Sequence, residues 1–428
     1  MSRFRKRGTT ALVAVTALAA LVAASQAAPR TQLVSRTSAG VAANGHSDAG
    51  EATALSGSGR FVVFDSTAAN LPGGDGATRR IYVRDARTGK TRLVSKDNAG
   101  DPLVSPADNP GISASGRFIS YDSAGVGLPG ANGFSQVWLY DRKRKRTKLV
   151  SRANSGAAAD ADSRDPSASA NGRRIAFTSS ASNLPGATGD SQVYVRDLKR
   201  GRTILASKDG SGTGASGSLY GQTISASGRR VTFYSSDPDL PGSSGFDSNV
   251  YVRDLKRGRT ILASRAPGGA PANGNTGNSS ISGNGRFVAF ESSATNLPGA
   301  GASSNQVYVR DLKRGRTKLG GRNSAGQVQT GYAEFAHLSG SGRYLQFNAD
   351  GANLPGGDGS TTFTYVRDLR RGKTRLASRA PGGGAPDEEA QNGSISADGR
   401  FVAFESGADN LGGNTLYLQV FRSGPLFR

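Results

Sequence analysis

One spacing governs this sequence. A Gly-Arg pair recurs at Gly59, Gly116, Gly172, Gly228, Gly285, Gly342 and Gly399, in steps of 57, 56, 56, 57, 57 and 57 residues. A Leu-Pro-Gly marker begins at Leu71, Leu128, Leu184, Leu240, Leu297 and Leu354, with Leu411-Gly412-Gly413 as its seventh copy. Tyr-Val-Arg-Asp starts at Tyr82, Tyr194, Tyr251, Tyr308 and Tyr365, and Trp138-Leu139-Tyr140-Asp141 replaces it in the second copy. Three markers in one register make the chain a seven-fold array of a single supersecondary unit.

Each unit reads as four short strands. The first is polar around one aliphatic residue, as in Ser280-Ile281-Ser282. A Gly-containing turn leads to Phe287-Val288-Ala289-Phe290, whose unbroken apolar run predicts burial on both faces. Pro-Gly in the next loop suits the centre of a type II turn. The third strand is Val307-Tyr308-Val309-Arg310, and a hairpin through Gly315 leads to Thr317-Lys318-Leu319. That glycine marks a position of positive φ. Lys145 replaces it in the second unit, at a cost of up to about 1 kcal/mol. No helical period appears after the first thirty residues. The pattern predicts an all-β fold, a seven-bladed β-propeller of four-stranded blades.

The two ends of the chain predict how the ring closes. The seventh unit has first, second and third strands near 394–396, 401–404 and 418–421, and then the chain stops. Thr31-Gln32-Leu33-Val34-Ser35 matches Thr91-Arg92-Leu93-Val94-Ser95, a fourth strand, in type and spacing. A last blade completed by this N-terminal strand leaves no open sheet edge.

Residues 1–27 read as a cleaved signal peptide. Arg3, Arg5, Lys6 and Arg7 precede the apolar run 11–24, which is too short to span a bilayer, and Ser25-Gln26-Ala27 suits cleavage before Ala28. The expected mature domain is 28–428, a monomer in the periplasm, the cell envelope or the medium, without a transmembrane anchor. The chain has no cysteine, so neither disulfides nor thiolate metal sites can hold it together.

Ser-Ile-Ser-Ala-Asp-Gly-Arg at 394–400, Phe-Val-Ala-Phe-Glu-Ser at 401–406 and the repeated Tyr-Val-Arg-Asp resemble the WD40-like (PD40) repeat of TolB-type propellers. The resemblance extends over all seven units. It implies a propeller of an exported bacterial protein and a binding scaffold, a role such blades often fill. Relatives with the Asn-Leu-Pro-Gly loop often continue into an Asp-rich stretch able to hold Ca²⁺. Gly74-Asp75-Gly76 and Gly357-Asp358-Gly359 keep a remnant of it. Structural calcium is therefore the one cofactor the resemblance suggests, and no other is expected.

Charge is unevenly distributed along each unit. The chain carries 54 basic and 32 acidic residues, a net +22. The hairpins between third and fourth strands are strongly basic, including Lys199, Arg200 and Arg202, Lys256, Arg257 and Arg259, and Lys313, Arg314 and Arg316. In a four-stranded blade these hairpins share one face of the ring with the first turns, which carry Arg60, Arg117 and Arg173. Counting the Tyr-Val-Arg-Asp arginines, about 37 basic residues fall on that face, opposite a mildly negative one. Two readings stand: a surface for an anionic polymer or a protein of the cell envelope, or a solvated rim copied by duplication. Nucleic acid is not expected, since no aromatics are interleaved with the basic residues.

Residues suited to catalysis are sparse. The two histidines are His46, in the first inter-blade loop, and His337, in a first strand where other units have Ala54, Gly111, Ser167, Thr223, Ser280 and Ser394. That ring of small positions is expected to line the central channel, making His337 a candidate contact there. Two isolated histidines cannot build a His-rich metal site, and no nucleophile elbow is present. The repeated Asp85, Asp141, Asp197, Asp254, Asp311 and Asp368 suit caps for hairpin N–H groups. Asp160, Asp162 and Asp165 form a short acidic run that lacks the Gly and Glu of an EF-hand loop. The expectation is a non-enzymatic scaffold; the alternative is a glycan lyase or hydrolase using the channel or the loop face.

Overall fold

The computed structural model describes residues 30–427 apart from 51–53, 210, 217–218, 244, 246, 300–304, 414–415 and 417. The expected signal peptide lies outside the described residues. Among these residues no helix is long and apolar enough to cross a membrane.

Seven antiparallel sheets of four strands make up the fold. We number the blades from the N-terminus. Blade 5 shows the plan, with strands Thr276–Ile281, Phe287–Ser292, Gln306–Asp311 and Arg316–Leu319 from the channel outwards. Blade 7 is built from Ala390–Ile395, Val402–Ser406 and Gln419–Gly424, and its outermost strand is Arg30–Leu33. Thr31 pairs with Ser423 and Leu33 with Phe421, and the Val34 N–H donates to the Val420 carbonyl at 2.7 Å. The ring thus closes as the spacing of Thr31–Ser35 predicts.

The core lies between blades. The marker tyrosines Tyr82, Tyr194, Tyr251, Tyr308 and Tyr365 are fully buried. Each stacks on the phenylalanine beside it in the sheet; Phe290 and Tyr308, for example, have centroids 5.7 Å apart. The Gly-Arg turn brings one blade against the next. A Cβ at Gly342 would fall 2.3 Å from the Phe287 ring of the preceding blade, so the turn admits only glycine there. The Leu-Pro-Gly loops form the expected turns, with Gly74 N–H donating to the Leu71 carbonyl at 2.9 Å and Gly73 at φ 70°. Lys145 adopts the expected positive φ, 53°.

The C-terminal tail docks as well. Phe427 stacks on Tyr344 of blade 6 at 5.2 Å, and the Arg375 guanidinium lies 4.9 Å over the Phe427 ring.

One charge assignment is corrected. The Tyr-Val-Arg-Asp arginines do not sit on the hairpin face. Arg84, Arg196, Arg310 and Arg367 are buried between blades, and Arg253 is nearly so. Arg367 Nη1 donates to Thr374 Oγ1 at 2.8 Å and to the Arg322 and Asn323 carbonyls of the preceding inter-blade loop. These arginines clamp neighbouring blades together, and the hairpin face is less positive by their charges.

Candidate functional site

Two surfaces concentrate chemistry, one at each end of the channel. On the hairpin face Lys199, Arg200, Arg202, Lys256, Arg257, Arg259, Lys313, Arg314 and Arg316 are all exposed. Beneath them the repeated aspartates cap the turns, as expected: Asp311 Oδ1 accepts the Lys313 and Arg314 N–H groups at 3.0 and 3.2 Å. The structure adds a partner that the sequence reading missed. Arg286, in the first turn of the same blade, grips both oxygens of Asp311 at 2.9 and 2.6 Å. The same fork joins Arg60 to Asp85, Arg117 to Asp141 and Arg343 to Asp368. The Arg286 hydrogen bonds outweigh burial and hold the Asp311 carboxyl down at about 2. These aspartates hold the blade together.

At the opposite end, the first strands of blades 2 to 6, with Tyr234 of the second strand of blade 4, line an open cavity of about 280 Å³. Its shape comes from β-bulges in the first strands of blades 2 to 7. A bulge turns one extra residue out of the ladder, and at Asn109, Asp165, Gly221, Phe335 and Asn392 that residue has positive φ. A bulky aromatic such as Phe335 is a true outlier at φ 48°. Its N–H donates to Glu291 Oε2 at 3.2 Å. Tyr220 is 48 % exposed and packs on Tyr234 with centroids 5.8 Å apart. Gly221 permits this, since a Cβ there would lie 2.8 Å from the Tyr234 ring.

His337 lines the same cavity, and burial pushes its imidazole down to about 4, so it is neutral at neutral pH. Ser167 and Thr223 line it too, as expected of the small positions, and these positions also bond between blades. The hydroxyls of Ser167, Thr223 and Ser280 accept the N–H of Ile224, Ile281 and Leu338 in the next blade, at 3.2, 3.0 and 3.1 Å. They stitch adjacent first strands together. Gln222 donates to the Asp165 carbonyl and to Thr178 Oγ1, while its buried Oε1 has no partner among the described residues.

Carboxyl groups cluster around this mouth. Asp122 accepts from Asn109 Nδ2 at 3.0 Å and from the Asp165 N–H at 3.2 Å, yet burial pushes it up to about 7. Burial and the nearby Asp48 raise Asp65 well above the usual carboxylate range, despite a 3.2 Å ion pair with Arg79. Burial thus weakens the acidity of Asp65 and Asp122 at this mouth.

The acidic run 160–165 disperses. Asp160 binds Ser182, Asp162 pairs with Arg164 at 2.8 Å, and Asp165 alone reaches the cavity. Asp75 Oδ1 accepts the Ala77 and Thr78 N–H groups, and Asp358 does the same for Ser360 and Thr361, so the Gly-Asp-Gly remnants are turn caps. Among the described residues no group of three or more His, Asp or Glu side chains converges as a metal site would require. His46 is exposed, its Nδ1 3.4 Å from the Leu418 nitrogen at the ring seam.

No family model matches the chain, and no curated protein does. Many solved structures share its fold. An oligogalacturonate lyase from Vibrio parahaemolyticus aligns with a TM-score of 0.57 at 10 % identity, covering 93 % of this chain and 96 % of the lyase. The β-propeller domain of the Trilobed protease from Pyrococcus furiosus, described as having an open velcro topology, aligns at 0.53 with 11 % identity over 86 % and 95 %. TolB from Acinetobacter baumannii aligns at 0.42 with 13 % identity, covering 69 % of this chain, which spans 58 % of that TolB chain. At these identities the likeness shows the propeller fold alone.

Proposed function

We propose that this chain is a non-enzymatic binding propeller that acts after export. In this reading it receives a cationic group of a ligand or partner protein in the loop-face cavity. The observation that carries it is the lining of that cavity. Tyr220, Tyr234 and Phe335 present aromatic surface, Asp165 adds a carboxyl, and no Lys or Arg is present. Aromatic faces beside a carboxyl favour a cation and disfavour an anion. The hairpin face would add long-range attraction to an anionic component of the envelope.

The lyase alternative draws only on a shared fold. An imidazole neutral down to about pH 4 is a weak base and no acid at neutral pH. The cavity also offers no cation to hold a uronate carboxylate.

Titration calorimetry with tetramethylammonium and with a lysine-rich peptide tests the reading. Saturable binding should weaken about tenfold in Tyr220→Ala. Binding of uncharged or anionic oligosaccharides in preference to these cations would overturn it. So would accumulation of unsaturated products from oligogalacturonate.

A further inference from the structure

Among the six blades with a hairpin, the repetition on the hairpin face breaks at blades 3 and 4. In five blades the Gly-Arg pair is followed by an aromatic residue, namely Phe61, Phe118, Phe287, Tyr344 and Phe401. In blades 3 and 4 it is followed by Arg174 and Arg230. Each of these second arginines takes the aromatic's place against the next blade, with Nη1 donating to the Gly228 carbonyl at 2.8 Å and the Gly285 carbonyl at 2.6 Å. Each also turns its Nε onto the hairpin aspartate of its own blade, Asp197 at 3.1 Å and Asp254 at 3.3 Å.

The consequence differs between the two blades. Arg173 keeps its bonds to Asp197, at 3.2 and 3.3 Å. In blade 4 the carboxylate is taken by Arg230 and by Arg257, whose Nη1 lies at 3.1 Å. Arg229 is left over. In the other five blades that carry a hairpin aspartate, its counterparts Arg60, Arg117, Arg173, Arg286 and Arg343 all pair with it. The Arg229 side chain is exposed and has no hydrogen bond or ion pair among the described residues.

Two depressions meet at this side chain. One, of about 230 Å³, is bordered by Arg173, Arg174 and Arg200; the other, of about 490 Å³, by Arg230, Lys256 and Arg257. Arg229 and Ser227 border both. Seven cations thus surround two carboxylates, Asp197 and Asp254, which are already saturated by arginines and hairpin N–H groups.

We propose that Arg229 is the centre of an oxyanion site for a ligand carrying paired phosphate groups, one seated in each depression. The guanidinium fork matches a tetrahedral oxyanion bidentately, and the surrounding positive excess lowers the cost of bringing the anions in. The site is independent of the cavity at the other end of the channel. It rests on the positive hairpin face and narrows it to one place.

Calorimetric titration with inorganic pyrophosphate at low ionic strength tests it, comparing wild type with Arg229→Ala, Arg229→Lys and Lys313→Ala. Lys313 is an exposed cation of the same face in blade 5, so its removal costs the same unit charge. Arg229→Ala should weaken binding about tenfold or more, Arg229→Lys less, and Lys313→Ala less than about twofold. Arg229 makes no side-chain bond among the described residues, so its loss should leave the blade intact. Equal losses in Arg229→Ala and Lys313→Ala would overturn the site while leaving a diffuse attraction standing. No saturable binding by the wild type would remove both.

Discussion

The carboxyl of Glu405, in blade 7, meets that of Asp48, in blade 1, across the seam where the ring closes. Two ionised carboxylates offer only acceptors, so burial beside Asp48 favours a proton on Glu405. Glu405 Oε2 is buried without a hydrogen-bond partner among the described residues, and the residue is 1 % exposed. Burial first, and then the charge of Asp48, pushes Glu405 up to about 9. The folded-state pKa is thus raised above its unfolded value of about 4.3. Its stabilising contribution is full below that value and is lost as pH rises through about 9. Relative to Glu405→Gln, the wild type should lose stability steadily from about pH 5 to about pH 9. Urea denaturation across this range gives the difference, and one independent of pH would refute the raised Glu405 carboxyl.

The hairpin aspartates predict the opposite sign. Arg286 holds Asp311 down at about 2, below its unfolded value, so its contribution is present above about pH 4 and is lost as pH falls through about 2. Asp311→Asn should cost about 2 kcal/mol at neutral pH and progressively less as pH falls through about 2. Denaturation midpoints of the two proteins should therefore converge in acid; a constant gap would place the cost in packing.

Much of this architecture is legible in the sequence because each marker repeats for a local reason. Gly342 must be glycine to clear Phe287, and Thr31–Ser35 reads as a fourth strand because it copies one. Repetition misled at Arg84 and its equivalents. Their polarity suggested the hairpin face, yet a long stem lets the guanidinium reach carbonyls between blades. A usable signal was present, since Thr91, Thr203, Thr260, Thr317 and Thr374 each follow the arginine by seven residues and accept from it. The cavity was harder to foresee, because Tyr220, Phe335 and Asp165 come together only through bulges. Their trace in the sequence is departure from the repeat, the same trace left by Arg174 and Arg230.

Lys145 offers a test of backbone strain free of side-chain packing. It is exposed and adopts φ 53°, where the other five hairpins have glycine at φ 64–69°. Lys145→Gly should raise stability by about 0.5–1 kcal/mol, less any entropy gained by the unfolded chain. A denaturation midpoint lower than wild type would contradict this.

Closure by Arg30–Leu33 predicts complementation. A chain beginning at Arg36 leaves Gln419–Gly424 as an open edge, which should lower the melting temperature and promote self-association. A peptide spanning residues 28–36 should bind this chain by strand addition and restore the melting temperature. Light scattering and thermal melts with and without the peptide read both effects. An unchanged melt of the shortened chain would mean that the seam is held by the seventh blade's own contacts.

Phe335 predicts a separation of stability from binding. Its φ of 48° is costly for a bulky side chain, of order 1 kcal/mol, and the neighbouring fold sustains that cost. The residue is only partly buried, and its ring lines the loop-face cavity. Phe335→Gly removes the strain and the aromatic surface together. The variant should melt at or above the wild-type temperature while losing about tenfold in affinity for a cationic probe. Phe335→Ala keeps the strain and loses the ring, so it should bind as weakly and melt lower. A Phe335→Gly protein that melts lower and still binds would mean that the ring serves packing and that the cavity's ligand contacts lie elsewhere.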